Sequence, residues 1–155
     1  MFFNCAIYTK TVIKKKIDRI LVPLDGSKNS IRGLEMAISI AIKFRATIIG
    51  VYSINIPPHS EFQRTTLLEK ENLKEIKKIL NNAKVLSAQN NVEYKGKIMQ
   101  GDTGYNIVKL AHDKKQKIGI VVIGSRGRGA VKEIFLGSVS NYVIHASKIP
   151  VLLVK

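Results

Sequence analysis

The sequence has no tryptophan and a single cysteine, Cys5, among its 155 residues. One thiol cannot form an internal disulfide, so we exclude a disulfide-stapled scaffold and expect a reducing, cytoplasmic setting. The three histidines are scattered along the chain, and no Cys/His cluster has metal-ligand spacing, which argues against a histidine-based metal site. No apolar run reaches the roughly 18 uninterrupted residues that a membrane-spanning helix needs.

Acidic residues are also scarce, with 11 Asp and Glu against 26 Lys and Arg, and the net charge is +15 at pH 7. An excess of this size favours contact with polyanions. However, most lysines of the predicted helices are mixed with acidic residues, as on a solvated helix face. We therefore expect weak, salt-sensitive contact with nucleic acid rather than specific recognition.

The first 16 residues, MFFNCAIYTKTVIKKK, lack the order of a signal peptide, because their lysines follow the apolar stretch instead of preceding it. We expect residues 1–16 to form a basic, flexible extension. The hydrophobic fraction of 45% and the mean hydropathy of +0.04 fit a globular protein. Residues 17–155 are therefore predicted to fold as a single domain.

Short apolar runs alternate with helical patterns along this domain. The runs predict five strands, at Ile17–Leu24, Ala46–Ile54, Val92–Gly101, Ile118–Gly124 and Ile149–Val154. Between them, helical spacing predicts four helices: one capped by Ser27 or Asn29 with its apolar stripe reaching Ile42, one carrying Leu73 to Leu86, one from Asp102 to about Lys115, and one marked by Leu136, Val139, Val143 and Ala146. A loop is expected at 56–66. This alternation predicts a parallel sheet with right-handed crossovers.

A glycine-rich segment, GSRGRG, leaves the fourth strand, and a Gly-Ser pair returns at Gly137 and Ser138. In open α/β sheets, ligands bind at the carboxyl ends of the strands where the winding direction reverses. A helix N-terminus attracts anions, and glycines allow successive N–H groups to converge on one. The segment therefore predicts a phosphate-binding loop, in which we expect Gly127 to adopt a φ that a β-branched residue avoids.

Two other phosphate motifs are absent. No G-x-x-x-x-G-K-[ST] occurs, which excludes a P-loop NTPase. The turn after the first strand, DGSKNS, contains one glycine, which excludes the dinucleotide fingerprint.

Four segments in order, ILVPLDGS, VVIGSRGRG, LGSVSNYVIHAS and PVLLV, resemble the ATP-binding universal stress proteins. The pattern Gly124-x-x-Gly127, nine residues, Gly137-Ser138 matches their G-2x-G-9x-G-[S/T] signature. The resemblance implies an α/β fold with an open five-stranded parallel sheet of order 3-2-1-4-5 and helices on both faces. It also implies ATP in the cleft between the first and fourth strands, and commonly a dimer.

By this resemblance, residues matching Pro23, Asp25 and Val51 line the adenosine, and those matching Gly127, Gly137 and Ser138 meet ribose and phosphate. Together with their neighbours they form the candidate nucleotide site. Its members are Pro23, Leu24, Asp25, Val51, Gly124, Ser125, Arg126, Gly127, Arg128, Gly129, Gly137, Ser138, Val139 and Ser140.

Several of these residues have simpler alternatives. Asp25 either caps a turn, or binds the nucleoside or holds Mg²⁺ through water. Ser138 is either a helix N-cap or a phosphate donor. Arg126 and Arg128 either contact phosphate or point into solvent. We interpret His145 as structural or exposed.

The function predicted from these residues is a regulatory, ATP-binding stress protein with slow or no hydrolysis, in which ATP orders the loop from Ser125 to Glu133. No catalytic residue is assigned, because Asp25 is the only carboxylate expected at the cleft and no histidine is placed as a general base. The alternatives are a slow ATPase or nucleotidyl-transfer enzyme and an ATP-independent, polyanion-binding stress protein. A homodimer through the C-terminal strand is expected, because PVLLV is a short apolar edge.

Overall fold

A computed structural model describes residues 17–54, 66–129 and 136–155, except for the side chains of 66–72. The expected extension 1–16 and nearly all of the predicted loop 56–66 lie outside these residues. The strands are β1 (Arg19–Pro23), β2 (Thr47–Ile54), β3 (Tyr94–Gln100), β4 (Ile118–Gly124) and β5 (Val151–Val154). The helices are α1 (Lys28–Phe44), α2 (Thr66–Gln89), α3 (Thr103–His112) and α4 (Ser138–Ala146).

The five strands form one parallel sheet of order β3-β2-β1-β4-β5, which confirms the predicted architecture. β1 pairs with β2 on one side and with β4 on the other, where Leu21 lies opposite Val121. The winding direction therefore reverses between β1 and β4, and the carboxyl ends of these strands flank a natural cleft.

The core has two layers because the central strands are covered on both faces. In one layer, α1 and α2 pack on strand residues such as Ile20, Val22 and Ile48. In the other, α3 and α4 pack on Leu21, Ile49 and Val121. Alternate residues of each strand enter opposite layers, so both sets must be apolar. This explains the continuous apolar runs in the sequence.

The predicted helix caps match the structure more closely than the predicted ends of the helices and strands do. The side chains of Ser27 and Asp102 accept backbone N–H groups at the starts of α1 and α3. α3 stops at His112, three residues short of the prediction, and Asp113 turns the chain by accepting the Lys115 N–H at 2.9 Å. A cap is a local contact that a sequence shows, whereas the end of a helix depends on competing turns.

Two apolar side chains lie outside the core, contrary to the predicted stripes. Ile42 in α1 is 51% exposed and Leu73 in α2 is 39% exposed. In α1 the buried face runs through Leu34, Ala37 and Ala41. Ile42 follows Ala41 by about 100° around the helix, which places it at the margin of that face.

The Tyr94 hydroxyl is buried and has no hydrogen-bond partner in the described part of the chain; its ring lies over Gly50, where even a Cβ atom would overlap it. Burial raises the pKa of Tyr94. An unpaired buried hydroxyl is costly, so Tyr94→Phe should raise the free energy of unfolding by about 1 kcal/mol. Chemical denaturation at pH 7 measures this difference. A variant whose free energy of unfolding is no higher than that of the wild type would contradict the prediction.

The same tyrosine predicts a pH dependence. Above about pH 10 the unfolded chain loses the Tyr94 proton while the folded protein keeps it, so stability falls as the pH rises, by up to about 1.4 kcal/mol per pH unit. Tyr94→Phe should therefore gain most over the wild type at alkaline pH.

Candidate functional site

A cleft of about 810 Å³ opens at the carboxyl ends of β1 and β4. All the predicted site residues except Ser125 line it. The turn after β1, the loop after β4 and the start of α4 meet there, because parallel strands end at one edge of the sheet. The sequence therefore predicted which segments converge on the cleft.

Ser125 supports the cleft from beneath rather than lining it. It is 3% exposed, its N–H donates to the Val154 carbonyl at 2.6 Å, and its carbonyl accepts from the Gly137 N–H at 2.9 Å. The buried Ser140 hydroxyl donates to the same carbonyl at 2.9 Å. These bonds fasten the end of β4 to β5 and to the start of α4.

The α4 N-terminus faces the cleft without a side-chain cap. Gly137 is the N-cap residue and makes no side-chain cap bond, so the alternative that Ser138 is the N-cap is wrong. Ser138 is the first helical residue, exposed and at the cleft wall. Free N–H groups and a hydroxyl at a helix start form a setting that stabilises an anion.

Asp25 ties two segments of the cleft together. Its Oδ1 accepts the Ser27 N–H at 2.9 Å, which is the predicted turn cap. Its Oδ2 accepts the Arg128 N–H at 3.1 Å and so joins the loop after β4 to the turn after β1. Each carboxylate oxygen has a second lone pair, so Asp25 can still accept a hydrogen bond from a ligand.

Other atoms of the protein closely approach the first two signature glycines. A Cβ atom on Gly124 would lie 2.6 Å from the Asn29 carbonyl oxygen of α1. One on Gly127 would lie 2.7 Å from Asp25 Oδ2. The positive φ expected at Gly127 is wrong, since only Gly26 and Gly101 have one among the described glycines. A larger residue at Gly127 would instead push the Asp25 carboxylate aside.

Gly129 and Gly137 are not required by such contacts. Among the described residues, a Cβ atom on Gly129 would meet nothing within 4 Å, and one on Gly137 would make ordinary contacts of 3.5 Å or more. Gly137 has φ −71° and ψ 155°, which any residue can adopt. The packing of the described residues therefore leaves these two positions free to be larger, yet both are glycine.

The side chain of Arg128 does not point freely into solvent. Its guanidinium contacts Glu75 Oε1 of α2 at 2.7 Å, and this hydrogen bond raises the pKa of Arg128. Both side chains are about half exposed, so the pair contributes little to stability and is inexpensive to rearrange. Arg126 is half-buried and also lines the cleft.

Sequence reasoning missed several residues of the cleft wall. They are Ser30, Tyr52, Ser53, Thr103, Ile107, Ile123 and Leu136. Ser53 follows Val51 by two positions in β2 and therefore shares its face, a signal that the strand period contains. Leu136, assigned to the last helix, instead precedes α4. His145 is exposed, as predicted, and its ring contacts the Asn141 carbonyl.

The cleft has few groups for metal binding. Asp25 is the only carboxylate among the described residues that line it, and the described residues contain no group of three or more His, Cys, Asp and Glu that could hold a metal ion. Mg²⁺ commonly binds one carboxylate together with substrate phosphates and water. The residues present fit that kind of site and no dedicated metal cage.

A family model described as the universal stress protein family matches residues 16–155. The chain belongs to that family. Universal stress protein YxiE of Bacillus subtilis (strain 168) is 31% identical over 152 residues, which cover 89% of this chain and 99% of that protein.

Solved structures agree with the fold of this universal stress protein. Protein MJ0577 of Methanocaldococcus jannaschii, also a universal stress protein, has a TM-score of 0.81 at 28% identity, covering 90% of this chain and 96% of that one. A universal stress protein in complex with cAMP has a TM-score of 0.70 at 27% identity, covering 90% and 98%.

Proposed function

We propose that this universal stress protein binds an adenine nucleotide, ATP with Mg²⁺, in the cleft between β1 and β4, and that it acts as a regulatory module rather than as an enzyme. The observation that carries the proposal is the cleft at the carboxyl ends of β1 and β4, where α4 starts at Gly137, a residue with no side chain to cap the helix. The related protein in complex with cAMP supports an adenine nucleotide as the guest. The cleft volume of about 810 Å³ lies in the range of small-molecule sites, about 300–1,000 Å³.

The adenosine packs against the side chains of Pro23, Val51 and Ile107, and Asp25 accepts a hydrogen bond from it. The phosphates lie at Gly137 and Ser138, where the helix start supplies N–H donors. In the alternative role, Asp25 would hold Mg²⁺ through water beside the phosphates instead of contacting the adenosine. The loop after Gly129 continues into 130–135, outside the described residues, so ordering of the loop from Ser125 to Glu133 by ATP stays a prediction.

Hydrolysis should be slow or absent. Both oxygens of Asp25 already hold the turn and the loop through backbone N–H groups, and no histidine is among the described residues lining the cleft. Nothing there is placed to activate a water molecule. Phosphate release measured on rigorously purified protein should stay far below about 1 s⁻¹, and a faster turnover would favour the alternative of a dedicated ATPase or nucleotidyl-transfer enzyme.

A homodimer through β5 is part of the proposal. β5 is an edge strand of four apolar residues, all partly exposed, and its outer hydrogen-bonding groups need a partner. Light scattering should give twice the 17.3 kDa chain mass. A monomer over a wide concentration range would contradict this.

The nucleotide released from the purified protein by denaturation tests the proposal as a whole. Ion-pair chromatography should identify adenine nucleotides at a substantial fraction of one per chain. If the protein carries no nucleotide and cannot be loaded with ATP, the result would favour the ATP-independent, polyanion-binding alternative, which the net charge of +15 supports.

Among the described residues, no helix is both long and apolar enough to cross a membrane.

A further inference from the structure

The outward face of α2 carries a row of lysines. At about 100° per residue, the four fall within about a third of the helix circumference, on the side away from the buried Ile76 and Ala83. We call this surface the lysine row, and its members are Lys74, Lys77, Lys78 and Lys84. All four residues are exposed, so a positively charged stripe follows the helix on its solvent side.

No acidic side chain neutralises the lysine row among the residues that the structure describes. Within 73–89 of α2 the one acidic residue is Glu75, and its carboxylate pairs with Arg128 at 2.7 Å. The four lysine side chains make no hydrogen bond or ion pair in the described part of the chain. Their ammonium groups are therefore available to an anion from outside the protein.

The spacing of the lysine row suits a phosphate backbone. At 1.5 Å per residue, Lys74 and Lys84 lie about 15 Å apart along the helix. A nucleic acid strand carries one phosphate per about 3.4 Å of its axis, or about four over the same length. Each lysine can therefore meet a phosphate of one strand. Asn81, exposed between Lys78 and Lys84, adds an amide that can donate to a phosphate or sugar oxygen.

An anionic membrane fits this surface less well than a nucleic acid does. A helix that lies on a lipid surface inserts a broad apolar face between the headgroups. In α2 that face is used inside the protein, where Ala83 belongs to the core and Ile79 and Leu80 pack against it. Val85, which is 48% exposed, is the one large apolar side chain on the outward face of the described part of α2. The lysine row therefore favours a ligand that is bound by charge and hydrogen bonds alone.

We propose that the lysine row docks α2 on the sugar-phosphate backbone of a nucleic acid, without reading its sequence. Lysine meets a phosphate as a point charge, and phosphate contacts fix position but carry no sequence information. The row lies outside the lining of the cleft, so this role goes beyond the nucleotide function and neither one depends on the other.

Fluorescence anisotropy of a labelled DNA duplex, measured with the full chain and without nucleotide, tests this role. Each phosphate contact of a duplex adds about 0.9 to the steepness with which log affinity falls against log salt concentration. The row variant carries Lys74→Gln, Lys77→Gln, Lys78→Gln and Lys84→Gln. Between about 50 and 200 mM salt, its slope should be shallower than that of the wild type by about 3 to 4 units.

A matched control removes the same charge from other parts of the surface. It carries four substitutions of exposed lysines, Lys43→Gln, Lys109→Gln, Lys114→Gln and Lys148→Gln. Its slope should change by less than about 1 unit, although its net charge equals that of the row variant. Both variants should unfold at nearly the wild-type temperature, because the replaced residues are exposed and glutamine favours a helix about as well as lysine does.

Equal changes of slope in the two variants would mean that net charge rather than this surface binds DNA, and would overturn the proposal. A wild-type protein that binds no duplex at about 50 mM salt would overturn it as well. A second assay uses vesicles of phosphatidylcholine and phosphatidylserine in equal parts. If vesicle binding depends on the lysine row as strongly as duplex binding does, the assignment to a nucleic acid is wrong. None of these outcomes bears on ATP binding, which is measured separately.

Discussion

Gly127→Val should lower the affinity for ATP at least about tenfold, roughly 1.4 kcal/mol, with only a small change in stability. A Cβ atom at this position would lie 2.7 Å from Asp25 Oδ2, so valine must push the carboxylate away. Asp25 then releases the Arg128 N–H, and with it the anchor of the loop after β4. The substitution removes a ligand acceptor and displaces the loop in one step.

The stability of the variant should change little because the site lies at the surface. Gly127 is exposed and Asp25 is half-exposed, so the displaced carboxylate can move into solvent. The control is Gly96→Ala in β3, outside the cleft lining, where a Cβ atom would make ordinary contacts of 3.5 Å or more and both fold and ATP affinity should be kept. Titration and thermal unfolding of both variants measure the two effects, and unchanged ATP affinity in Gly127→Val would refute the role given to Asp25.

Gly124→Ala should destabilise the fold by about 1–3 kcal/mol, as overpacking in a core does. Its Cβ atom would lie 2.6 Å from the carbonyl oxygen and 2.7 Å from the carbonyl carbon of Asn29. Both atoms belong to the backbone of α1, so no side chain can turn aside and the helix must shift. α1 also packs closely on β4 at Gly33, so this shift disturbs the whole layer.

Gly96→Ala is the matched control for this effect, since it is also a glycine in a strand. Its Cβ atom would make ordinary contacts, 3.5 Å from the Tyr94 ring and 3.7 Å from Leu80. Alanine there should be neutral or stabilise by about 0.5 kcal/mol. Urea denaturation of both variants compares their free energies of unfolding. Equal values would contradict the prediction, because they would mean that α1 can shift away from Gly124 at no cost.

Features that repeat along the chain could be predicted from the sequence. The apolar run of β4 has the predicted bounds, Ile118–Gly124, because a strand buried on both faces shows no alternation and ends where glycine begins. Ser27 and Asp102 were predictable as caps because a cap contacts residues two or three positions away. The order of strands followed from the family resemblance.

Contacts between distant segments could not be predicted. The distance between Asp25 and Gly127, the pairing of Arg128 with Glu75 and the bond from Asn106 to Ser53 each join residues more than fifty positions apart. No period or local motif encodes them. For this reason the sequence assigned the signature glycines one common role, whereas in the structure Gly124 packs against α1, Gly127 is approached by Asp25, and Gly137 has only ordinary contacts.

Isothermal titration of the full chain with ATP and Mg²⁺ tests the central claim most directly. The account predicts one ATP per chain with a dissociation constant on the order of micromolar, and weaker binding of GTP, whose base carries a carbonyl where adenine carries an amino group. No heat of binding and no thermal shift at millimolar ATP would contradict it.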